Sequence, residues 1–196
     1  MWPAPFAVLT YRHSPGAHLT TGKLADRWAR CDRVPACPPA YPRLALTIAF
    51  ASNELGRPSS FARADLRLAP ASPGKAERLT PLLRHPGATL YANLDEARTL
   101  ASSHATTAAE AAEALLARGA RRVLVTHGGN PCAEGRAGAG VITATPPQVL
   151  VNRVTGAGDT FMAAHILAER QGADRKAALD AALIAAADYV SKEVGS

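Results

Sequence analysis

ATLYANLDEARTLASSHATTAAEAAEALLARGARRVLVTHGG, residues 88–129, is the stretch that decides the fold. It opens on the apolar run ATLYA (88–92) and closes on the β-branched run RRVLVT (121–126), each the length of a buried strand. Between them lie two helical stretches. DEARTLA predicts a short helix, and Thr107 with Glu110 has capping-box spacing in front of AAEALLAR. Gly119 stands where a left-handed residue closes a helix. Apolar runs alternating with helices are the pattern of a parallel sheet flanked by helices.

The same alternation extends outward. Upstream, DLRLA (65–69) predicts a strand, and Ser72 followed by Pro73 gives an N-cap and N1 for a helix through Leu83. Downstream, a Gly- and Pro-rich stretch carries a hairpin signal around VITATPP (141–147). The strand-like run VLVNRV then leads into TGAGD and two long Ala-rich helices, about 157–170 and 174–192. The fold class expected is α/β: a doubly wound, mostly parallel sheet with flanking helices. The alanine run at 177–187 predicts close helix packing.

Residues 1–60 read differently from residues 61–196. Prolines are dense (Pro3, Pro5, Pro15, Pro35, Pro38, Pro39, Pro42, Pro58), periodicity is poor, and only RLALTIAF (43–50) looks like a strand. This first segment is expected to be poorly ordered or loosely packed, and 61–196 to form the domain proper. Composition narrows the class further: 47% hydrophobic and 19% charged residues describe a globular chain. No run approaches the roughly 20 apolar residues of a membrane span, and the N-terminus lacks the basic start of a leader. A cytoplasmic location is expected, with no membrane partner. Cys31, Cys37 and Cys132 lack CxxC spacing and predict reduced thiols. The net charge of +6 comes from scattered arginines without interleaved aromatics, so nucleic acid is not the expected partner and an anionic ligand suffices. The histidines show no ligand spacing; His127 alone lies where it could touch a phosphate.

The chemistry concentrates at Thr155-Gly156-Ala157-Gly158-Asp159, before the apolar face of FMAAHILAE. Glycines at a helix start let backbone N–H groups converge, and the helix dipole adds positive potential: Gly156, Ala157 and Gly158 form a candidate anion hole. A carboxylate one step beyond would repel a bound anion if binding were the only task. As a base it has a use, accepting a hydroxyl proton while the amides steady a phosphoryl group. The plainer alternative is a tight turn whose Asp159 caps the first helical turn. The loop is not followed by the Gly-Lys-Ser/Thr of a Walker A motif. Asn93 and Glu96 follow the ATLYA strand on one face and suit either Mg²⁺ held through water or a capping box. Thr126 and Gly128 end the RRVLVT strand and fit a close-lying nucleotide or an ordinary turn.

In this order, NxxE, strand-Thr-x-Gly and TGAGD before an apolar helix, the residues resemble the C-terminal half of the ribokinase/PfkB carbohydrate kinase family over about residues 64–194. The details ASPGKAERLTPLL and VTGAGDTFMA look closest to pseudouridine-kinase-like and sugar-kinase members. The resemblance implies ATP and Mg²⁺ as cofactors and Asp159 as catalytic base. It also implies Gly156, Ala157 and Gly158 as the anion hole, Thr126, Gly128 and Thr155 beside the nucleotide, and Asn93 and Glu96 ordering magnesium. The expected substrate is the hydroxymethyl group of a sugar or nucleoside.

Three departures stand against that pattern. The family's N-terminal half supplies a sugar-binding Asp, a Gly-Gly turn and a small β lid, none of which is found before residue 60. The chain therefore reads as N-terminally truncated, and the alternative function is an impaired nucleotide-binding fragment that needs a partner chain; a homodimer is also left open. Arg153 stands where relatives carry Asp or Asn near a monovalent cation, and a guanidinium there would oppose such an ion or replace its charge. Ala69 stands where relatives often carry Asp.

Overall fold

The computed structural model describes residues 44–49, 65–70 and 72–192. Six strands form one sheet in the order of the sequence: β1 (Leu44–Ala49), β2 (Asp65–Pro70), β3 (Ala88–Asn93), β4 (Arg122–His127), β5 (Asn130–Arg136) and β6 (Gly140–Ala144). β1 to β4 run parallel, and β5 and β6 are added antiparallel through two short turns. β1 lies within the Pro-rich segment and is paired along its length with β2. The rest of residues 1–60, with its expected loose packing, lies outside the described residues.

Alternation along the strands divides the core in two. Leu66, Leu68, Ala88, Leu90, Ala92, Val123 and Val125 point to one face. There they meet α1 (Pro73–Ala76), the 3₁₀ segment Glu77–Leu82, α2 (Leu94–Ala101) and α3 (Ala108–Ala117). Tyr91, Leu124, Cys132 and Ala144 point to the other face, against Phe161 and Met162 of α4 (Ala157–Arg170) and Leu179, Ala182 and Leu183 of α5 (Arg175–Ser191). Helices thus cover both faces of a mostly parallel sheet, the α/β class expected. Among the described strands the order never reverses; the second face is covered because α4 and α5 follow the antiparallel hairpin back across the sheet. Ala178 and Ala182 are fully buried, as the close packing expected of the alanine-rich helix requires.

Local chemistry explains the element ends, including those where the sequence misled. Gly119 adopts φ +97° and closes α3 in a Schellman arrangement, with Gly119 N–H donating to Leu116 O and Ala120 N–H to Leu115 O. The Thr107–Glu110 box is only half formed: Thr107 Oγ1 accepts from Glu110 N–H, but the Glu110 carboxylate turns one residue back to Thr106 N–H and Oγ1. Ser72 makes no side-chain cap, and the helix expected through Leu83 gives way after Ala76 to 3₁₀ turns. Pro81 is the reason, since it lacks an N–H and its ring crowds the carbonyl four residues earlier.

Two further expectations fail between residues 128 and 156. The Gly- and Pro-rich stretch contains a full strand, β5, and the hairpin tip is at 137–139 rather than at VITATPP, whose first residues belong to β6. Pro131 is tolerated because it lies at the irregularity between the pairs Val125–Ala133 and His127–Asn130. The run before TGAGD is not a strand: residues 145–154 have no regular structure, and Leu150 and Val154 are 80% and 72% exposed.

Candidate active site

Two strand ends come together first. Asn93 and Thr126 are register partners at the carboxyl ends of β3 and β4, so these two predicted residues are neighbours. Gly128 follows in the turn to β5, and among the described residues none beyond its chain neighbours comes within 4 Å of where a Cβ would stand. Side chains of Tyr91 and Asn93, and of Leu124 and Thr126, alternate onto the face covered by α4.

The position of α4 follows from its contacts with that face. Arg67 and Arg122 are both register partners of Thr89, one from each neighbouring strand. Glu169 reaches both, accepting from Arg67 Nη1 at 2.9 Å and from Arg122 Nη1. One helical turn earlier, His165 Nδ1 lies 2.9 Å from Tyr91 Oη. Four helical residues advance about 6 Å and two strand residues about 7 Å, so α4 runs antiparallel to β3 and nearly matches it step for step. Phe161 then falls at the level of Asn93, and Asp159 about 3 Å beyond it. The glycine loop and Asp159 therefore sit at the same end of the sheet as Asn93, Thr126 and Gly128, where open α/β sheets bind ligands.

The loop has the conformation its residues demand. Gly156 is at φ +94°, a left-handed geometry, and a Cβ there would lie 2.5 Å from Tyr189 Oη. Ala157 N–H donates to Val154 O at 3.0 Å, and Thr160 N–H and Oγ1 both use Gly156 O. Gly158 and Asp159 begin the helix with amides that have no acceptor four residues back, the usual orphan donors of a first turn. Space is open where a Cβ of Gly158 would be, and Asp159 and Thr155 are exposed. Of the three expected anion-hole residues, Ala157 has its amide already engaged, and the amides of Gly158 and Asp159 have no acceptor among the described residues.

Asn93 and Glu96 form a complete capping box: Asn93 Oδ1 accepts from Glu96 N–H, and Glu96 Oε2 from Asn93 N–H, each at 2.9 Å. Burial raises the Glu96 carboxyl above the usual range, partly opposed by the Asn93 amide. Among the described residues no three of His, Cys, Asp and Glu converge as a metal-ligand set. With a single carboxylate tied into a helix cap, this corner does not fit a magnesium ion bound directly by the protein; it fits one held through water, with phosphates as its main ligands. The orphan amides and open glycine do fit a phosphate group.

Arg153 does something the sequence did not suggest. Its Nε donates to Tyr189 O at 2.8 Å, and its guanidinium lies 3.8 Å over the Tyr189 ring, so it closes the carboxyl end of α5. Ala69 packs against the α4 face of the core.

At the opposite end of α4 lies an ionic cluster that sequence reading missed. Glu134, fully buried, pairs with Arg122 at 2.7 Å and with Arg136 and Arg175 at 3.4 Å. Burial alone would raise the Glu169 carboxyl, but Arg122, His165 and Arg67 together bring it below its ordinary value. His165 is pushed down to about 4 by burial, reinforced by Arg122, Arg67 and Arg136 against the pull of Glu169. Arg122 can only donate, so His165 Nε2, 3.4 Å from it, accepts, and the ring proton resides on Nδ1 toward Tyr91. The available signal was charge at alternate positions of apolar strands, Asp65 with Arg67 and Glu134 with Arg136.

A helix amino terminus with a glycine entry and an exposed carboxylate, set over parallel strand ends, is an arrangement that suits a phosphate group in an α/β protein. The pfkB family carbohydrate kinase pattern matches residues 40–195, and the chain belongs to that family. No curated protein sequence matches it. Among solved structures it is similar to a carbohydrate kinase from Agrobacterium tumefaciens, at 26% identity and TM-score 0.56 over 68% of this chain and 41% of that one. It is also similar to an adenosine kinase from Sinorhizobium meliloti, at 20% identity and TM-score 0.58 over 66% and 40%. A protein described as a ribokinase II from E. coli, solved with ATP and Mg²⁺, matches at 22% identity and TM-score 0.55 over 66% and 43%. The chain thus spans less than half the length of these relatives.

Proposed function

We propose that this chain carries the phosphoryl-transfer half of an ATP-dependent kinase acting on a hydroxymethyl group of a sugar or nucleoside. One observation supports the reading above the others: α4 is registered on β3 so that Gly158 and Asp159 stand beyond the strand ends bearing Asn93 and Thr126. The free amides steady the transferring phosphoryl group, and the exposed Asp159 accepts the proton of the attacking hydroxyl. Thr126, Gly128 and Thr155 border the nucleotide. Glu96 and Asn93 orient the hydration shell of Mg²⁺, which when bound neutralises charge on the phosphates.

Asp159→Asn tests the base. Turnover should fall by about 10²–10⁴-fold while ATP affinity, read by calorimetry, and the melting midpoint stay unchanged; undiminished turnover refutes the assignment. A second reading is a nucleotide-binding portion completed by a partner chain. It predicts ATP binding without sugar-stimulated turnover until that chain is added.

A further inference from the structure

The last turn of α5 is interlocked with the segment that enters the glycine loop. Asn152 and Arg153 N–H groups both donate to Val190 O, at 2.8 and 3.2 Å, and Asn152 Nδ2 donates to Ser191 O at 2.7 Å. Arg153 covers one face of the Tyr189 ring and holds its carbonyl. Tyr189 Oη in turn donates to Thr155 O at 2.9 Å. The same oxygen lies where a Cβ on Gly156 would have to go.

That hydrogen bond acts on the anion loop through peptide geometry. In a trans peptide the C=O and the N–H of the next residue point in opposite directions. A hydroxyl that fixes Thr155 O therefore also fixes Gly156 N–H, turning it away from α5. Gly156, with no Cβ and φ +94°, would otherwise have wide freedom to rotate this peptide. An amide that must be aimed before the ligand arrives loses affinity when it is free to turn.

We infer that Tyr189, stacked under Arg153, is a positioning residue that sets the Gly156 amide of the phosphate-gripping loop, so that the end of α5 governs affinity for the phosphate part of a nucleotide. The inference rests on the kinase reading of the site. It also gives Arg153 its work: the guanidinium locks the ring whose hydroxyl aims the loop.

Calorimetry on the full chain with two probes, MgATP and adenosine, tests it. Tyr189→Phe keeps the ring and removes the hydroxyl; loss of one neutral hydrogen bond should weaken MgATP binding roughly fivefold and leave adenosine binding unchanged. Arg153→Lys, which keeps the charge but loses the stack, should shift MgATP in the same direction, and it serves if Tyr189→Phe does not fold. Equal losses for both probes would mean general packing and overturn the inference, as would an unaltered MgATP affinity in both variants. A wild-type chain that binds MgATP no better than adenosine would instead sink the phosphate site itself, and this inference with it.

Discussion

The two ends of α4 are built on opposite principles. At its carboxyl end Glu169 is forked between arginines of β2 and β4, and His165 is sealed between Tyr91 and Arg122. At its amino end Gly158 and Asp159 are exposed with their amides left over, and among the described residues the side chain that holds the entry peptide comes from α5. A helix held hard at one end and offered at the other can present unpaired donors at a defined height above the strand ends. Buried charges cost desolvation that ion pairing offsets; here the pairs set the register of α4, and Gly158 and Asp159 are left accessible.

The contrast breaks most visibly at Glu134. Glu134→Ala would leave Arg122, Arg136 and Arg175 short of a buried partner and should cost about 3–5 kcal/mol in urea unfolding. Asp159→Asn, at the open end, should cost no stability, and comparable losses for both would erase the distinction between the ends. Acid should loosen the closed end next. His165 has a folded value of about 4 and regains about 6.5 on unfolding, so between these the unfolded chain takes up the proton and the folded chain does not. Stability is full above about pH 6.5 and declines toward pH 4, by at most about 3 kcal/mol. The lowered Glu169 carboxyl adds loss in the same direction as the pH falls through its own range. Melting midpoints across this window should flatten in His165→Gln; an unchanged slope would show that the drop arises elsewhere. The smallest effect belongs to the exposed Lys176–Asp180 pair of α5, where Lys176→Ala should change unfolding free energy by less than about 0.5 kcal/mol.

Much of this fold was legible because its strands are short apolar runs set between helical stretches: DLRLA, ATLYA and RRVLVT each supply both faces of the sheet that the structure buries. The backbone of the loop was legible too, since a glycine at a helix entry accommodates the left-handed conformation that Gly156 adopts. What was hidden depended on contacts distant in sequence. Nothing local in Arg67 announces Glu169, 102 residues away, and nothing in Arg153 announces the ring of Tyr189. β5 was missed because Pro131 and Gly135 argue against a strand, and only the paired neighbours on both sides overrule them. VLVNRV misled for the opposite reason: it has strand composition, but the backbone hydrogen bonds of Asn152 and Arg153 go to α5 rather than to the sheet. The capping box at Asn93 and Glu96 was readable as local chemistry, and the register with Thr126 brings it to the end of the sheet where the loop lies.

Arg175 donates to three carbonyls of the β5–β6 hairpin, those of Glu134, Ala139 and Gly140, all from at least 35 residues earlier. Contacts of such long range form late. During synthesis the layer made by β2, β3, β4 and their helices can consolidate before α5 has left the ribosome, while the hairpin waits for its clasp. Under the proposed reading, the loop's hold on phosphate would come only with the docking of α5, and proteolytic removal of that helix would leave a compact body whose Thr155 carbonyl has lost its hydroxyl partner.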